Sequence, residues 1–284
     1  MKKIISFALA LFMVLGTLTA CGDSSKATGV KVIEINLTEE EYAFGVDKAQ
    51  PELLENVNAF IKKIKEDGTF EAICDKYFGD GTPEAVTSAK LDESKDQLVV
   101  ATNAAFAPFE YTEDGGKTYY GIDMEIAALL AKELGKELVI VDMDFDAVCL
   151  NVQQQKCDIA MAGLTITEDR KDLVNFSDSY YNASQQLIVA DNNTEFDACK
   201  TAADVETILN KKDDTCKIGV QRGTTGQLYC EGDADWGFAG YAVTTVPYAN
   251  GSLAVQDLLN NGVDYVIIDS APAASIVEAI NEVQ

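Results

Sequence analysis

Arg170 closes a stretch, residues 162–170, that reads Ala-Gly-Leu-Thr-Ile-Thr-Glu-Asp-Arg. A guanidinium is a planar fork that binds a carboxylate through two parallel hydrogen bonds. In the same stretch, Thr165 can donate a hydroxyl and a backbone N–H, and Gly163 lets a neighbouring group approach the backbone closely. The stretch, which begins at Ala162, therefore predicts a carboxylate-binding site.

A second anion site is predicted after the apolar run 217–220, where the sequence continues Gln221-Arg222-Gly223-Thr224-Thr225-Gly226. This loop follows a predicted strand and opens a predicted helix. Backbone N–H groups and the positive end of the helix dipole then favour an anion. Thr225 is the preferred contact, with Thr224 beside it. A Gly-Thr-Thr-Gly loop is weak by itself and gains weight only in combination with Arg170.

Asp269 supplies the opposite charge. It ends the apolar run 265–268, and a carboxylate at the carboxyl end of a strand faces the crevice of an α/β sheet. The alternative is that Asp269 caps the helix that follows, and both can hold at once.

The composition excludes several classes of function. The chain has no histidine, which removes the most frequent general base, the most frequent zinc ligand and the Ser-His-Asp triad. With 22 basic and 47 acidic residues the formal charge is −25, so the chain should repel nucleic acid and anionic membranes. We expect no cofactor, no metal and no catalytic residue.

Seven cysteines are present, and apart from Cys21 they are Cys74, Cys149, Cys157, Cys199, Cys216 and Cys230. None forms a C-x-x-C pair, which argues against zinc ribbons and thioredoxin-type sites. They are either buried small hydrophobic residues or one or two disulfides. The sequence leaves the pairing open, with Cys199 and Cys216 as the preferred pair because they flank one short helical stretch.

Length and patterning predict the elements that position these groups. The 284 residues suggest about two domains at roughly 150 residues each. Strand-like runs alternate with helical ones, which predicts parallel pairing with right-handed crossovers in two α/β units joined near residue 188. Predicted strands are residues 30–35, 41–46, 98–102, 138–141, 158–161, 187–189, 217–220, 242–246 and 265–268. Predicted helices include one that starts at Pro51, one capped by Asp123 and one over residues 146–155.

The amino terminus predicts export. Met1-Lys2-Lys3 precedes an apolar stretch, residues 4–18, which is shorter than the roughly 20 residues that span a bilayer. A basic start and a short apolar region indicate a secretory signal. The following Leu-Thr-Ala-Cys resembles the lipobox of bacterial lipoproteins. Residues 1–20 are then a signal peptide, 21–30 a tether lipidated at Cys21, and the protein lies outside the cell membrane, anchored to its outer face. The alternative is a plain signal peptide.

Five segments in one order resemble the extracellular solute-binding proteins of polar amino-acid ABC transporters (family 3). They are residues 101–111, 121–127, 162–170 with 176–181, 220–226 and 262–269. The resemblance spans nearly all of residues 31–284. It implies an α/β fold of the two-lobed periplasmic-binding-protein type (type II), a clamshell with two hinge crossovers, near residues 185–189 and 42–46.

The resemblance also assigns roles at the site. Arg170 anchors the carboxylate of a free amino acid, Asp269 pairs with its ammonium, and Phe106 and Phe145 sandwich its side chain. Asn103 and Gln221 tune specificity for the ligand side chain. A neutral Asn103 disfavours a basic ligand, although the acidic Glu110 keeps a basic ligand as an alternative. The predicted ligand-binding residues are Asn103, Phe106, Phe145, Ala162, Gly163, Thr165, Arg170, Gln221, Thr224, Thr225 and Asp269.

One block is out of order. Residues 39–79 resemble the carboxyl-terminal end of the family but come first here, which predicts a circular permutation. Residues 31–42 and 190–284 would form lobe 2, and residues 43–78 and 98–189 lobe 1 with the hinge strands. Residues 79–97, rich in turn-forming residues, would then be a linker that joins the ancestral ends.

The function implied is that of a monomeric, non-enzymatic binding protein. It would capture a free amino acid and deliver it to a membrane permease with its own ATPase. One alternative is an enzyme on the same fold, such as a prephenate or cyclohexadienyl dehydratase, for which Glu110 is the candidate acid. Another is a binder of a different small anion or a sugar.

Overall fold

A computed structural model describes residues 27–282, so the predicted signal peptide, Cys21 and most of the tether lie outside the described residues. The strands are β1 (Val30–Ile33), β2 (Glu40–Tyr42), β3 (Gly45–Val46), β4 (Gln97–Thr102), β5 (Ala105–Phe106), β6 (Glu110–Thr112), β7 (Tyr119–Tyr120), β8 (Glu137–Asp142), β9 (Ile159–Ala160), β10 (Asn175–Phe176), β11 (Tyr181–Ala183), β12 (Gln185–Ala190), β13 (Lys217–Gln221), β14 (Thr244–Tyr248) and β15 (Tyr265–Asp269).

The helices lie between them in an alternating order. They are α1 (Pro51–Glu66), α2 (Thr69–Phe78), α3 (Ile122–Glu133), α4 (Val148–Gln153), α5 (Glu168–Leu173), α6 (Ala202–Leu209), α7 (Thr225–Glu231), α8 (Gly251–Leu259) and α9 (Ser270–Glu282). A short 3₁₀ turn, Phe145–Ala147, precedes α4.

Two five-stranded sheets form two lobes, as the α/β clamshell prediction requires. In lobe 1 the strand order is β10-β3-β9-β4-β8, with β4 parallel to β8 and β9. In lobe 2 the order is β1-β12-β15-β13-β14, with β13 parallel to β14 and β15. Strand β12 therefore belongs to the sheet of lobe 2, whereas the sequence grouped residues 98–189 with lobe 1.

The chain crosses between the sheets along two neighbouring passes. Strand β2 leads from lobe 2 to lobe 1, and β11 leads back. The two strands pair antiparallel, with Tyr42 opposite Tyr181 and Glu40 opposite Ala183. This two-stranded ribbon is the hinge, slightly offset from both predicted crossovers.

Apolar side chains are buried against both sheets, and one cluster includes residues of both, such as Val100 of lobe 1 and Ile188 of lobe 2. Helix α1 turns Val57, Ile61 and Ile64 inward at the helical spacing predicted for it, so that it covers lobe 1. In lobe 2, Leu187, Val205 and Ile218 belong to a separate buried cluster between the sheet and α6. The burial of these side chains fixes each lobe as a unit.

Two local predictions were wrong. Asp123 does not cap α3, because the helix starts after Gly121 without a side-chain cap and Asp123 is buried inside its first turn. The helix predicted over 146–155 is shorter, since the 3₁₀ turn takes its start and α4 ends at Gln153.

Residues 79–96 contain no helix or strand, as expected of the linker, yet they follow the protein surface. Val86 bonds Tyr119 through both backbone groups, and the Ala89 N–H donates to the Leu138 carbonyl at the edge of β8. The linker thereby covers the open edge of the lobe 1 sheet.

The six cysteines of the described part are free thiols, so the preferred Cys199–Cys216 disulfide is not formed. Within residues 27–282, no helix combines the length and the apolar character that crossing a bilayer demands.

Candidate functional site

Arg170 lies at the interface between the lobes. It stands on α5. The side chain of Thr167 caps the amino terminus of this helix by accepting a hydrogen bond from the Arg170 N–H. Its guanidinium donates to the Thr165 carbonyl at 2.7 Å and, across the cleft, to the Gly223 carbonyl at 2.9 Å. The Phe145 ring lies 5.0 Å from the guanidinium carbon, a cation–π contact. Burial lowers the pKa of Arg170, and the negative charges of Glu40 and Asp269 oppose that shift.

Asp269, at the end of β15 in lobe 2, is buried close to the same point. It accepts a hydrogen bond of 2.5 Å from the hydroxyl of Tyr42, on the hinge strand β2. Burial and the neighbouring Glu40 raise the pKa of Asp269 to about 7. Arg170, on α5 of lobe 1, and Asp269, on β15 of lobe 2, interact electrostatically.

Glu40, which the sequence did not single out, occupies the centre of the cluster and is 5% exposed. Its Oε2 accepts the hydroxyls of Thr165 and Thr225, each at 2.7 Å. Its Oε1 accepts the Thr38 hydroxyl at 2.7 Å and the Gln185 amide at 3.1 Å. One carboxylate on the hinge therefore contacts a threonine from each lobe. Its signal in the sequence was its place beside Tyr42 in the displaced block.

Asn103 and Gln221 meet across the cleft. The Gln221 amide donates to the Asn103 side-chain oxygen at 3.0 Å, and Asn103 itself donates to the Met143 carbonyl. Both side chains are buried, and one Gln221 oxygen has no hydrogen-bond partner. The two predicted specificity residues thus form a direct bridge between the lobes.

Gly163 and Phe106 are packed against each other. Gly163 has φ = +51°, and a Cβ at this position would lie 2.9 Å from the Phe106 ring. Its N–H donates to Asp123, whose pKa burial raises to about 7. The glycine is therefore required both by its backbone conformation and by the approach of the ring.

Glu110 is completely buried in lobe 1, and neither carboxylate oxygen has a hydrogen-bond partner. Burial raises its pKa well above the usual range, and the neighbouring charges of Asp123, Asp269 and Asp142 add to the shift.

The structure brings most of the predicted residues into one cluster. Thr165 and Thr225 share Glu40, whereas Arg170 and Gln221 each bond to the opposite lobe. Asp269 bonds Tyr42 on β2, and Ala162 and Gly163 are buried in the loop that contains Thr165. Phe106 and Phe145 face different members of the cluster, Gly163 and Arg170, respectively.

Thr224 contributes differently, because its hydroxyl is tied to the Gln221 carbonyl at 2.8 Å within its own loop. A surface cavity of about 730 Å³ lies elsewhere, along residues 89–95 and Glu137.

Comparison with known proteins adds a family match. The model of the bacterial extracellular solute-binding proteins, family 3, matches residues 3–80 and 98–270. Among curated proteins, the arginine-binding extracellular protein ArtP of Bacillus subtilis is 32% identical over 133 residues, 47% of this chain and 47% of its own length. The histidine-binding periplasmic protein of Escherichia coli is 29% identical over 175 residues, 62% of this chain and 61% of its own length.

Solved structures resemble the chain as well. An ancestral arginine-binding protein bound to arginine has a TM-score of 0.53 and 35% identity, covering 65% of this chain and 74% of its own. The ancestral amino acid-binding protein AncCDT-1, a precursor of cyclohexadienyl dehydratase, has a TM-score of 0.54 and 32% identity, covering 64% and 74%. The chain spans about half to two thirds of the length of the curated relatives it matches.

Proposed function

Because the chain belongs to the bacterial extracellular solute-binding proteins of family 3, we propose that it binds a free amino acid between its lobes outside the cell and delivers it to an ABC importer. One observation carries this proposal. A guanidinium from lobe 1, Arg170, donates a hydrogen bond to Gly223 of lobe 2 and interacts electrostatically with Asp269, a buried carboxylate of the same lobe. That pair matches the two charges of an amino acid.

Each group has a defined task in this proposal. Arg170 binds the ligand carboxylate, Asp269 takes the ammonium, and Phe106 and Phe145 contact the side chain. A dissociation constant near 1 µM needs about 8 kcal/mol, which one guanidinium pair, one carboxylate pair and several N–H bonds can supply. The similarity to an arginine-binding and a histidine-binding protein supports an amino acid as the ligand.

Closure of the cleft follows from the division of the site. Neither lobe offers both charges, so a zwitterion stabilises the closed arrangement through its differential contacts. The Asn103–Gln221 and Arg170–Gly223 bonds join the lobes in that arrangement. The β2–β11 ribbon provides the hinge, and the closed form docks on the permease as a monomer.

The proposal is tested by screening the purified chain from residue 22 onward against the twenty amino acids. Thermal unfolding identifies binders, since ligand at 100 times its dissociation constant stabilises by about 2.7 kcal/mol. Calorimetry then measures the affinity, with phosphate and glucose as controls. We expect at least one amino acid to bind and neither control to do so; binding of phosphate or glucose alone contradicts the proposal.

A second candidate, a dehydratase, is favoured by Glu110. A buried carboxyl with a raised pKa keeps its proton to a higher pH than an exposed one and can act as a general acid. The likeness to AncCDT-1, a precursor of a cyclohexadienyl dehydratase, points the same way. We propose binding without turnover. Incubation with prephenate decides between them, because formation of phenylpyruvate would establish the enzyme, and Glu110→Gln should then abolish it.

Export and anchoring complete the proposal. Residues 1–20 are proposed as the signal peptide, with lipid attached to Cys21 so that the protein stays on the outer face of the membrane. The extracellular and periplasmic relatives support a location outside the cytoplasm. Cys21→Ser should release the protein from the membrane fraction into the medium or periplasm, whereas retention would argue against lipidation.

We also propose that the chain is circularly permuted, with lobe 1 formed by residues 43–78 and 98–184 and lobe 2 by residues 31–42 and 185–284. The family match divides at residues 81–97, inside the proposed linker. Strand β3, from the block proposed to be displaced, lies inside the lobe 1 sheet between β10 and β9, although it precedes both in the chain. Both observations support the permutation.

A further inference from the structure

Glu40 engages the hydroxyls of Thr165 and Thr225 with the same oxygen, Oε2. Thr165 belongs to the Arg170 loop in lobe 1, and Thr225 opens α7 in lobe 2. All three side chains are at least nine-tenths buried, with exposed fractions of 2 to 5%. In both bonds the threonine hydroxyl donates and the carboxylate oxygen accepts.

A threonine hydroxyl has a single proton. In this arrangement both protons are committed to Glu40, so neither hydroxyl can donate to a ligand carboxylate. Each oxygen keeps its role as an acceptor, although Thr225 already accepts one bond of 3.0 Å from the Gln185 amide. The hydroxyl contact to a carboxylate that the sequence suggested for Thr165 is therefore incompatible with Glu40 in place.

We propose that Glu40 is a positioning residue that turns the Thr165 and Thr225 hydroxyls into acceptors for the ligand's ammonium group. An ammonium has three N–H donors, and Asp269 with the two hydroxyls offers three acceptors. This inference rests on the proposed function and names a determinant of the same site. In this inference Glu40, on the hinge strand, contributes to the preference of the site for ligands that carry a primary amine.

The ligand carboxylate is then left to Arg170 and to backbone N–H groups. A guanidinium has five N–H donors, of which the Thr165 and Gly223 carbonyls take two. The remaining donors suffice for a two-pronged bond to a carboxylate. The two ends of the ligand are thus separated, with the amine toward Glu40 and Asp269 and the carboxylate toward Arg170.

The test compares an amino acid with the analogue in which a hydroxyl replaces the ammonium. Calorimetry is done with L-arginine and its 2-hydroxy acid, and with L-glutamine and its 2-hydroxy acid. The wild type should prefer the amino acid in each pair that binds. In Glu40→Gln the side-chain amide can donate to the threonine oxygens, so that the threonine hydroxyls are free to donate to another group. The preference for the amine should then fall about tenfold.

Matched variants separate this role from a structural one. Glu39→Gln removes the same charge from an exposed neighbour and should leave the preference unchanged. Glu40→Asp keeps a carboxylate and should restore part of it. Equal weakening of both members of a pair by Glu40→Gln would overturn the inference, and so would an unchanged preference. A wild-type chain that binds none of the twenty amino acids would instead overturn the proposed function.

Discussion

Val30 and Asn281, from opposite ends of the described chain, are hydrogen-bonded to each other twice. The Val30 N–H donates to the Asn281 side-chain oxygen at 3.1 Å, and the Asn281 amide donates to the Val30 carbonyl at 2.8 Å. The two ends therefore meet on lobe 2, where β1 packs against α9. A chain whose ends are adjacent can be rejoined there and opened elsewhere without disturbing its core.

Restoring the proposed ancestral order is the first prediction. The variant begins with residues 97–282, continues through a short Gly-Ser connector and ends with residues 29–79. It should fold and bind the same amino acid. The linker carries few buried side chains, so its removal should cost little. Circular dichroism and calorimetry check this, and a soluble, folded chain that has lost all affinity would contradict it.

Arg170→Lys should weaken amino-acid binding about a hundredfold or more, because a lysine ammonium cannot form the two-pronged bond with a carboxylate. Arg222→Lys is the matched control, since Arg222 is exposed on the neighbouring loop. Calorimetry on the two variants gives the comparison. Equal amino-acid affinities of the two variants would show that Arg170 does not bind the ligand carboxylate.

The Asn103–Gln221 bond should stabilise the closed lobes. Gln221→Ala leaves the Asn103 oxygen without this donor, and ligand dissociation should become about fivefold faster, as expected for roughly 1 kcal/mol. A double-mutant cycle with Asn103→Ala, followed by stopped-flow fluorescence, isolates the pair. Additive effects of the two substitutions would show that the bond does not contribute to closure.

Gly163→Ala should lower amino-acid affinity at least tenfold, because the added methyl group displaces the Phe106 ring. Gly135→Ala serves as its control, with a similarly positive φ of +70° and no atom within 4 Å of the new Cβ. Both variants should lose about 1 kcal/mol of unfolding free energy to backbone strain. Unchanged affinity in Gly163→Ala would mean that the ring is not part of the site.

The unfolding free energy should fall as pH rises from about 5 to 7. Burial raises the folded-state pKa of Asp269 to about 7, above its ordinary value, so between these pH values the folded chain binds the extra proton. The stabilisation from protonated Asp269 is complete below the pKa that this group has in the unfolded chain. It is lost as pH rises through 7, where the unfolding free energy falls by up to ~1.4 kcal/mol per pH unit.

Asp269→Asn should flatten this part of the pH profile, whereas Asp235→Asn, on an exposed loop, should not. Amino-acid affinity should change in the opposite direction and increase toward pH 8, because an ionised Asp269 is needed for the ammonium. Urea unfolding and calorimetry at four pH values measure both quantities. Parallel changes in stability and affinity would contradict the assignment of Asp269.

The alternation of strands and helices and the motifs around Arg170 and Asp269 can be read from the sequence, and the order of its motifs predicts the permutation. These features are local, since they depend on residues a few positions apart and on hydrophobic periods. Strand β4, predicted over 98–102, begins one residue earlier in the structure, and the face of α1 followed from the spacing of Val57, Ile61 and Ile64. Asp123 was misread as a cap because local patterns do not reveal that a carboxyl is buried.

The role inferred for Glu40 depends on the tertiary structure. It lies 125 positions before Thr165 and 185 before Thr225, so no local pattern connects these residues. Only the crossing of the β2–β11 ribbon between the lobes brings one hinge carboxylate within reach of both hydroxyls. The residue types that could bind a zwitterion were set by the sequence, whereas the direction in which the threonine protons point depends on contacts that exist only after both lobes have folded.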